Sequence, residues 1–319
     1  MSERPESHAK LARYAWIVIV ATLFVVLWGA LVRATGSGAG CGSHWPLCNG
    51  EVVPQAETVA TTIEFTHRVT SGFSVLMVVW LTIWTYRVFR KGHPARPAAM
   101  WSLIFMLGEA AIGAALVLLS LVADNTSIAR AWWMGVHLVN TFLLFGALTL
   151  TAYWAGGGRR IYIRGQGMFA WLLVAAFALT LFTGMSGAIA ALGDTLFPAS
   201  SLQEGLRQDF SPDAHPLTRL RVFHPFIAVV TAAFLLHAAG RMRLRPGAKR
   251  WATALHLTVL AQITLGVINL MLLAPVWMQL IHLFVADMLW IFLVLASAAS
   301  LATVPDSTPA DSPELARAA

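Results

Sequence analysis

Charge is what this chain most lacks. Only 12% of its 319 residues are charged, about half of the ~25% carried by an ordinary soluble domain, and 58% are hydrophobic. That imbalance excludes most soluble globular folds. Cysteine is nearly absent: Cys41 and Cys48 are the whole complement, too few for a disulfide scaffold. Zinc is disfavoured as well, since His44 is the only other ligand type close to the two thiols. Dedicated nucleotide, flavin and phosphate motifs are missing too, so any electron donor has to come from outside the chain.

What the chain has in abundance is uninterrupted apolar sequence. A helix crossing a bilayer needs ~20 predominantly apolar residues. Such runs fall at roughly 14–32, 65–86, 99–122, 131–154, 168–192, 222–240, 252–273 and 277–303. They predict an all-α integral membrane protein with eight transmembrane helices, the last two joined only by Ala274, Pro275 and Val276.

Basic residues set the orientation. One set of connections carries Arg4, Lys10, Arg13, Arg87, Arg90, Lys91, Arg96, Arg159, Arg160, Arg164, Arg241, Arg243, Arg245, Lys249, Arg250 and Arg317; the other carries Arg33, Arg68, Arg130, Arg207, Arg219 and Arg221. Sixteen against six predicts that both termini are cytoplasmic. The net charge of +7 is then explained by the lipid bilayer and calls for no nucleic acid. The N-terminus has few basic residues and two glutamates, and the first apolar run is long for a signal segment, so a prokaryotic plasma membrane is expected. The organisation reads as a cytoplasmic N-terminus (1–13), a four-helix half (14–154), a cytoplasmic linker (155–167), a second half (168–303) and a Pro-, Ser-, Ala- and Asp-rich disordered tail (304–319).

The two halves look like copies. Gly29-Ala30-Leu31-Val32 closes helix 1 and Gly187-Ala188-Ile189-Ala190 closes helix 5, each before a long outer loop. Phe65-Thr66-His67 then opens helix 2, and Val222-Phe223-His224 opens helix 6. Glu109 precedes Gly113 by four residues, as Gln262 precedes Gly266. Trp133-Met134 leads to His137, and Trp277-Met278 to His282 with one residue of slippage. Four matches in order predict two pseudo-symmetric four-helix bundles.

The matched histidines carry the chemistry. His67, His137, His224 and His282 each fall in the outer third of an even-numbered helix. An ionisable side chain inside a bilayer is costly and faces a partner or a cavity. Taken singly, each is best read as an interhelical hydrogen-bonding residue. Four at equivalent places are better read as axial ligands, His67 with His137 and His224 with His282, giving two bis-histidine haem sites. His8, His44, His93, His215, His237 and His256 have no symmetry mates and read as structural or solvated.

Two loop features add to this. On the outer, oxidising face Cys41 and Cys48 can bridge, as a staple contributing roughly 2.5 kcal/mol or as a redox-active pair near the haem edge. Glu64 stands three residues before His67, one turn nearer the surface, where the second half has Arg221 before His224. An acid can serve chemistry at one haem, and an arginine can pair with propionates at the other; equally, Glu64 pairs with Arg68 or Arg33. Glu109 and Asp287 lie in mid-helix and read as hydrogen-bonded rather than catalytic.

The run from Gly29 through Arg33-Ala34-Thr35-Gly36-Ser37-Gly38, then Cys-x6-Cys around Trp45-Pro46-Leu47, then Glu64-Phe65-Thr66-His67-Arg68, resembles the haem A synthase family. Leu265-Gly266 to Pro275 and Gln279-Leu280-Ile281-His282-Leu283 are similar to the same family, and the likeness covers about residues 14–303. The resemblance implies an enzyme of cytochrome oxidase assembly that oxidises the C8 methyl of haem O to a formyl group through successive oxidations and a geminal diol. It implies that His67 and His137 hold the substrate haem O with Glu64 at the reacting edge, and that His224 and His282 hold an electron-passing haem B. It further implies a Cys41–Cys48 disulfide, propionate contacts by Arg33, Arg68 or Arg221, and association with haem O synthase, the farnesyltransferase; a homo-oligomer is left open. The rivals are a di-haem b-type electron-transfer cytochrome and a transporter, the latter disfavoured because the histidines sit near one surface.

Overall fold

In a computed structural model, residues 3–55 and 58–302 are described; the expected disordered tail lies outside them. Ten α-helices follow in order: α1 (Glu3–Ala34), α2 (Val59–Val88), α3 (Ala95–Leu118), α4 (Ile128–Ala155), α5 (Met168–Leu196), α6 (Leu202–Phe210), α7 (Pro216–Arg221), α8 (Phe223–Arg243), α9 (Lys249–Met271) and α10 (Val276–Ser300). Eight spans are long and apolar enough to cross a membrane, α7 and α8 forming one of them together. No strand occurs among the described residues, only an isolated bridge between Cys48 and Glu51.

The sequence accounts for where helices start. Thr58 and Ser127 cap α2 and α4 by accepting the backbone N–H of Thr61 and Arg130, which satisfies a donor the helix leaves free. Four buried mid-span hydroxyls are satisfied locally: Thr82, Thr85, Thr151 and Thr180 each donate to the carbonyl four residues back, as a span in hydrocarbon requires. Several helices outrun the apolar runs that predicted them. α2 starts at Val59 rather than near 65, so Glu64 and His67 both lie inside the helix. Capping and turn chemistry, not hydropathy, sets where helix ends.

Neighbouring contacts join α1 to α2 and α4, α2 to α3, and α3 to α4, closing the first four spans into a ring. In the second half α8 packs on α5 and α9, and α9 on α10. α4 and α10 form the seam between halves, and Phe145, Leu148, Leu293 and Leu295 are fully buried there. Trp290 stacks on Phe142 with centroids 5.0 Å apart and meets the edge of Phe177 at 5.3 Å. Lipid tails are as apolar as these side chains, so shape complementarity rather than expulsion from water holds such a seam.

One polar tie crosses the halves near the loops that carry the cysteines. Arg33, at the end of α1, donates to Ala191 O (2.8 Å) and Thr195 Oγ1 (2.7 Å) on α5 and to Gln279 Oε1 (2.8 Å) on α10.

Candidate functional site

His67 leans on α1 at Gly29, where a Cβ would stand 2.9 Å from the imidazole Cε1; only glycine admits the ring so close. Its Nδ1 is buried without a hydrogen-bond partner. His137, on α4, points its Nε2 at Glu109 Oε2 of α3, 3.4 Å away. Glu109 also accepts from Asn140 Nδ2 (2.6 Å) and Thr141 Oγ1 (3.2 Å).

The second half repeats this plan with other chemistry. A Cβ at Gly187 would stand 3.0 Å from His224 Cε1, and His224 Nδ1 lies 3.0 Å from Ser186 Oγ. His282 Nε2 lies 3.1 Å from the Gln262 amide nitrogen, and its Nδ1 has no partner. Similar contacts occur in each half: glycine against histidine on α1–α2 and α5–α8, and acid or amide against histidine on α3–α4 and α9–α10. Gly113 breaks the pattern. Nothing approaches it, whereas its counterpart Gly266 meets His282 Cε1 at 3.2 Å.

Glu64 is 3% exposed and fully engaged. Arg68 holds Oε1 through Nη2 (2.5 Å) and Nε (3.2 Å), and the Cys41 N–H donates to Oε2 at 2.9 Å. Arg68 Nη1 reaches on to His44 O and Leu47 O, both 2.6 Å away. Cys41 and Cys48 are bridged, with Cα atoms 4.4 Å apart, and the Gly40 carbonyl accepts from Thr61 Oγ1 (2.8 Å). The loop, its disulfide and the carboxylate thus form one hydrogen-bonded body. Of the two partners expected for Glu64, Arg68 is present, and Arg33 is committed to α5 and α10.

Arg221 is neutralised by different means. Its Nε donates to Asp209 Oδ1 (2.6 Å), Nη1 to Asp194 Oδ1 (3.3 Å) and Phe197 O (3.1 Å), and Nη2 to Gln208 Oε1 (3.2 Å). Asp209 and Gln208 belong to α6, a loop helix the sequence reading did not foresee. Just before that helix Ser200 donates to Glu204 from its hydroxyl and its N–H, holding the carboxyl below its ordinary pKa. His215 has a structural part: it caps α7 at Leu217 N–H and stacks on Phe197 with centroids 4.8 Å apart. Asp287 is completely buried on α10, neither oxygen has a partner, and its electrostatic neighbour is Glu109.

Sequence reasoning set Glu109 aside, yet it faces a candidate ligand. The signal was present: Asn140 and Thr141 follow His137 by three and four residues, one polar face on one helix.

A family model described as "Cytochrome oxidase assembly protein", COX15-CtaA, matches residues 12–294. The chain belongs to this family. The Heme A synthase of Geobacillus kaustophilus is 31% identical over 268 residues, covering 80% of each chain. That of Staphylococcus saprophyticus is 29% identical over 271 residues, 80% of this chain and 85% of that protein. A Protoheme IX farnesyltransferase of Thermus thermophilus is 49% identical over 267 residues, 83% of this chain. The chain spans only 44% of that longer relative.

The residues of this COX15-CtaA protein fit haem. His67, His137 and His282 each have a buried ring nitrogen without a partner, and glycines stand against the rings of His67, His224 and His282. The surrounding spans supply an apolar wall.

Proposed function

We propose that this multi-pass membrane protein serves haem A biosynthesis as an oxidoreductase that converts the C8 methyl of haem O to a formyl group. His67 and His137 hold the substrate, His224 and His282 hold haem B, and both termini face the cytoplasm of a prokaryotic cell. The observation that supports this best is the buried carboxylate of Glu64 one turn from His67, where the second half carries Arg221.

Going from methyl to formyl removes four electrons from one carbon, so a redox partner outside the chain is required. Haem B, when bound, supplies one-electron transfer. Glu64 is held in place by Arg68 and the Cys41 N–H, so its carboxylate needs no reorganisation during the reaction. It stabilises positive charge developing at the methyl carbon, or accepts a proton from attacking water. Glu109 fixes His137, and Gln262 fixes His282, in the manner of groups that orient a metal-bound imidazole. Arg33, Arg68 and Arg221 would meet propionates only by exchanging acceptors they already hold. A haem O-making farnesyltransferase is the natural neighbour, since its product would be this protein's substrate.

The test is pigment extraction from membranes that contain a haem O source, with and without the protein. A formyl haem that depends on the protein is the expected result. Haem B alone would make the chain a di-haem cytochrome and overturn the proposal.

A further inference from the structure

An elongated groove of about 530 Å³ runs between α1 and α2 on the side away from the bundle interior. That volume lies in the ~300–1,000 Å³ range of ligand pockets. Val20, Ala21 and Phe24 line it from α1, and Thr70, Phe73 and Met77 from α2. It extends from Val25 to Trp16 along α1, about 13 Å at the helical rise.

Two features say what the groove accepts. Its polar groups are already spent: Thr70 Oγ1 donates to the carbonyl of Thr66 (2.9 Å) or His67 (3.1 Å), and Ser74 Oγ shares a hydrogen bond with Thr22 Oγ1 (3.2 Å) at the floor. An occupant therefore meets hydrocarbon throughout. The groove also starts close to the candidate haem site along both helices. Thr70 and Ser74 follow His67 on α2 by one and two turns, and Val25 precedes Gly29, which backs the His67 ring, by one turn on α1. The cavity begins one turn from a candidate ligand and leads away from it along the lipid-facing side.

We propose that this groove takes the isoprenoid chain of the substrate haem. The assignment rests on the reading of His67 as a ligand for that haem. A porphyrin held only by two axial imidazoles can rotate about the axis they define, and its peripheral methyls then exchange places at Glu64. A chain lodged beside α2 removes that freedom, so the groove determines which methyl is presented. It also separates prenylated haem from plain haem B.

The measurement is a titration of haem O and of haem B into protein held in phosphatidylcholine nanodiscs, with the second site already loaded with haem B. Because the chain leaves lipid rather than water, the gain comes from packing, and the wild type should favour haem O about tenfold. Ala21→Phe and Val25→Phe fill the groove from one wall. Each should bring the preference close to unity, leaving haem B affinity within about twofold and the second-site haem spectrum unchanged, which shows the fold intact. A preference that survives both substitutions overturns the assignment. Equal affinity in the wild type overturns it too, and leaves the groove to lipid acyl chains. If His67→Ala alters neither titration, the reading of His67 fails and the groove assignment fails with it.

Discussion

One turn before the histidine, α2 carries an acid and α7 carries a base, and each charge is neutralised from a different direction. Glu64 is paired within its own helix by Arg68 and from above by a disulfide-closed loop. Arg221 is paired from outside its helix by Asp194 on α5 and Asp209 on α6. The same glycine-backed histidine plan therefore sits under roofs of opposite construction. Where the acid is local and the loop rigid, a carboxylate can be held ready. Where the base is wrapped by acids from α5 and α6, its charge is already spent. Duplicated scaffolds diverge first in the loops, where a new side chain disturbs no helix packing.

That contrast can be broken most severely at the ligands. His224→Ala or His282→Ala should remove nearly all haem B from purified protein, by haemochrome assay, whereas His67→Ala or His137→Ala should leave it and abolish haem O binding. The same loss from all four variants would show that the halves are not specialised. Next comes Glu64→Gln, which keeps the shape and removes the charge. Haem A output should fall on the order of a thousand-fold with haem O accumulating, in line with acid–base and charge-stabilising groups elsewhere, while resident haem stays. Normal haem A output would strip Glu64 of its role.

Smaller effects separate the two roofs. Arg221→Ala strands two carboxylates and should cost about 3 kcal/mol of stability, seen as release of haem B at lower temperature. Cys41→Ser should cost roughly 2.5 kcal/mol and loosen the first-half loop alone, which proteolysis of residues 35–58 would register. Least disruptive is the exchange Glu109→Gln with Gln262→Glu. It should change affinity at either site by less than about tenfold yet move the absorption and potential of the two haems in opposite directions. Unchanged spectra would mean that the acid–amide difference is incidental.

The eight spans, the four histidines and the order of the repeat were legible in the sequence, because hydropathy and position carry them directly. Gly29 with His67 and Gly187 with His224 were legible as a recurring pattern, although the contact between them was not. Three things stayed hidden. α6 and α7 are short and insufficiently apolar to stand out against a loop. The Cys41 N–H bond to Glu64 joins a turn to a helix, and no local periodicity reports such a closure. The acceptors of Arg33 lie 158 to 246 residues away, beyond any local pattern. Glu109 was visible and undervalued, since a mid-span acid reads alike whether it faces a ligand or another helix.

Arg33 binds the end of the first bundle to α5 and α10 of the second through three acceptors. A single guanidinium thereby adds a polar rivet to the apolar seam between the two halves. An electron passing between the two proposed haem sites would cross a gap held by hydrogen bonds as well as by packing, so its rate should depend little on bilayer thickness.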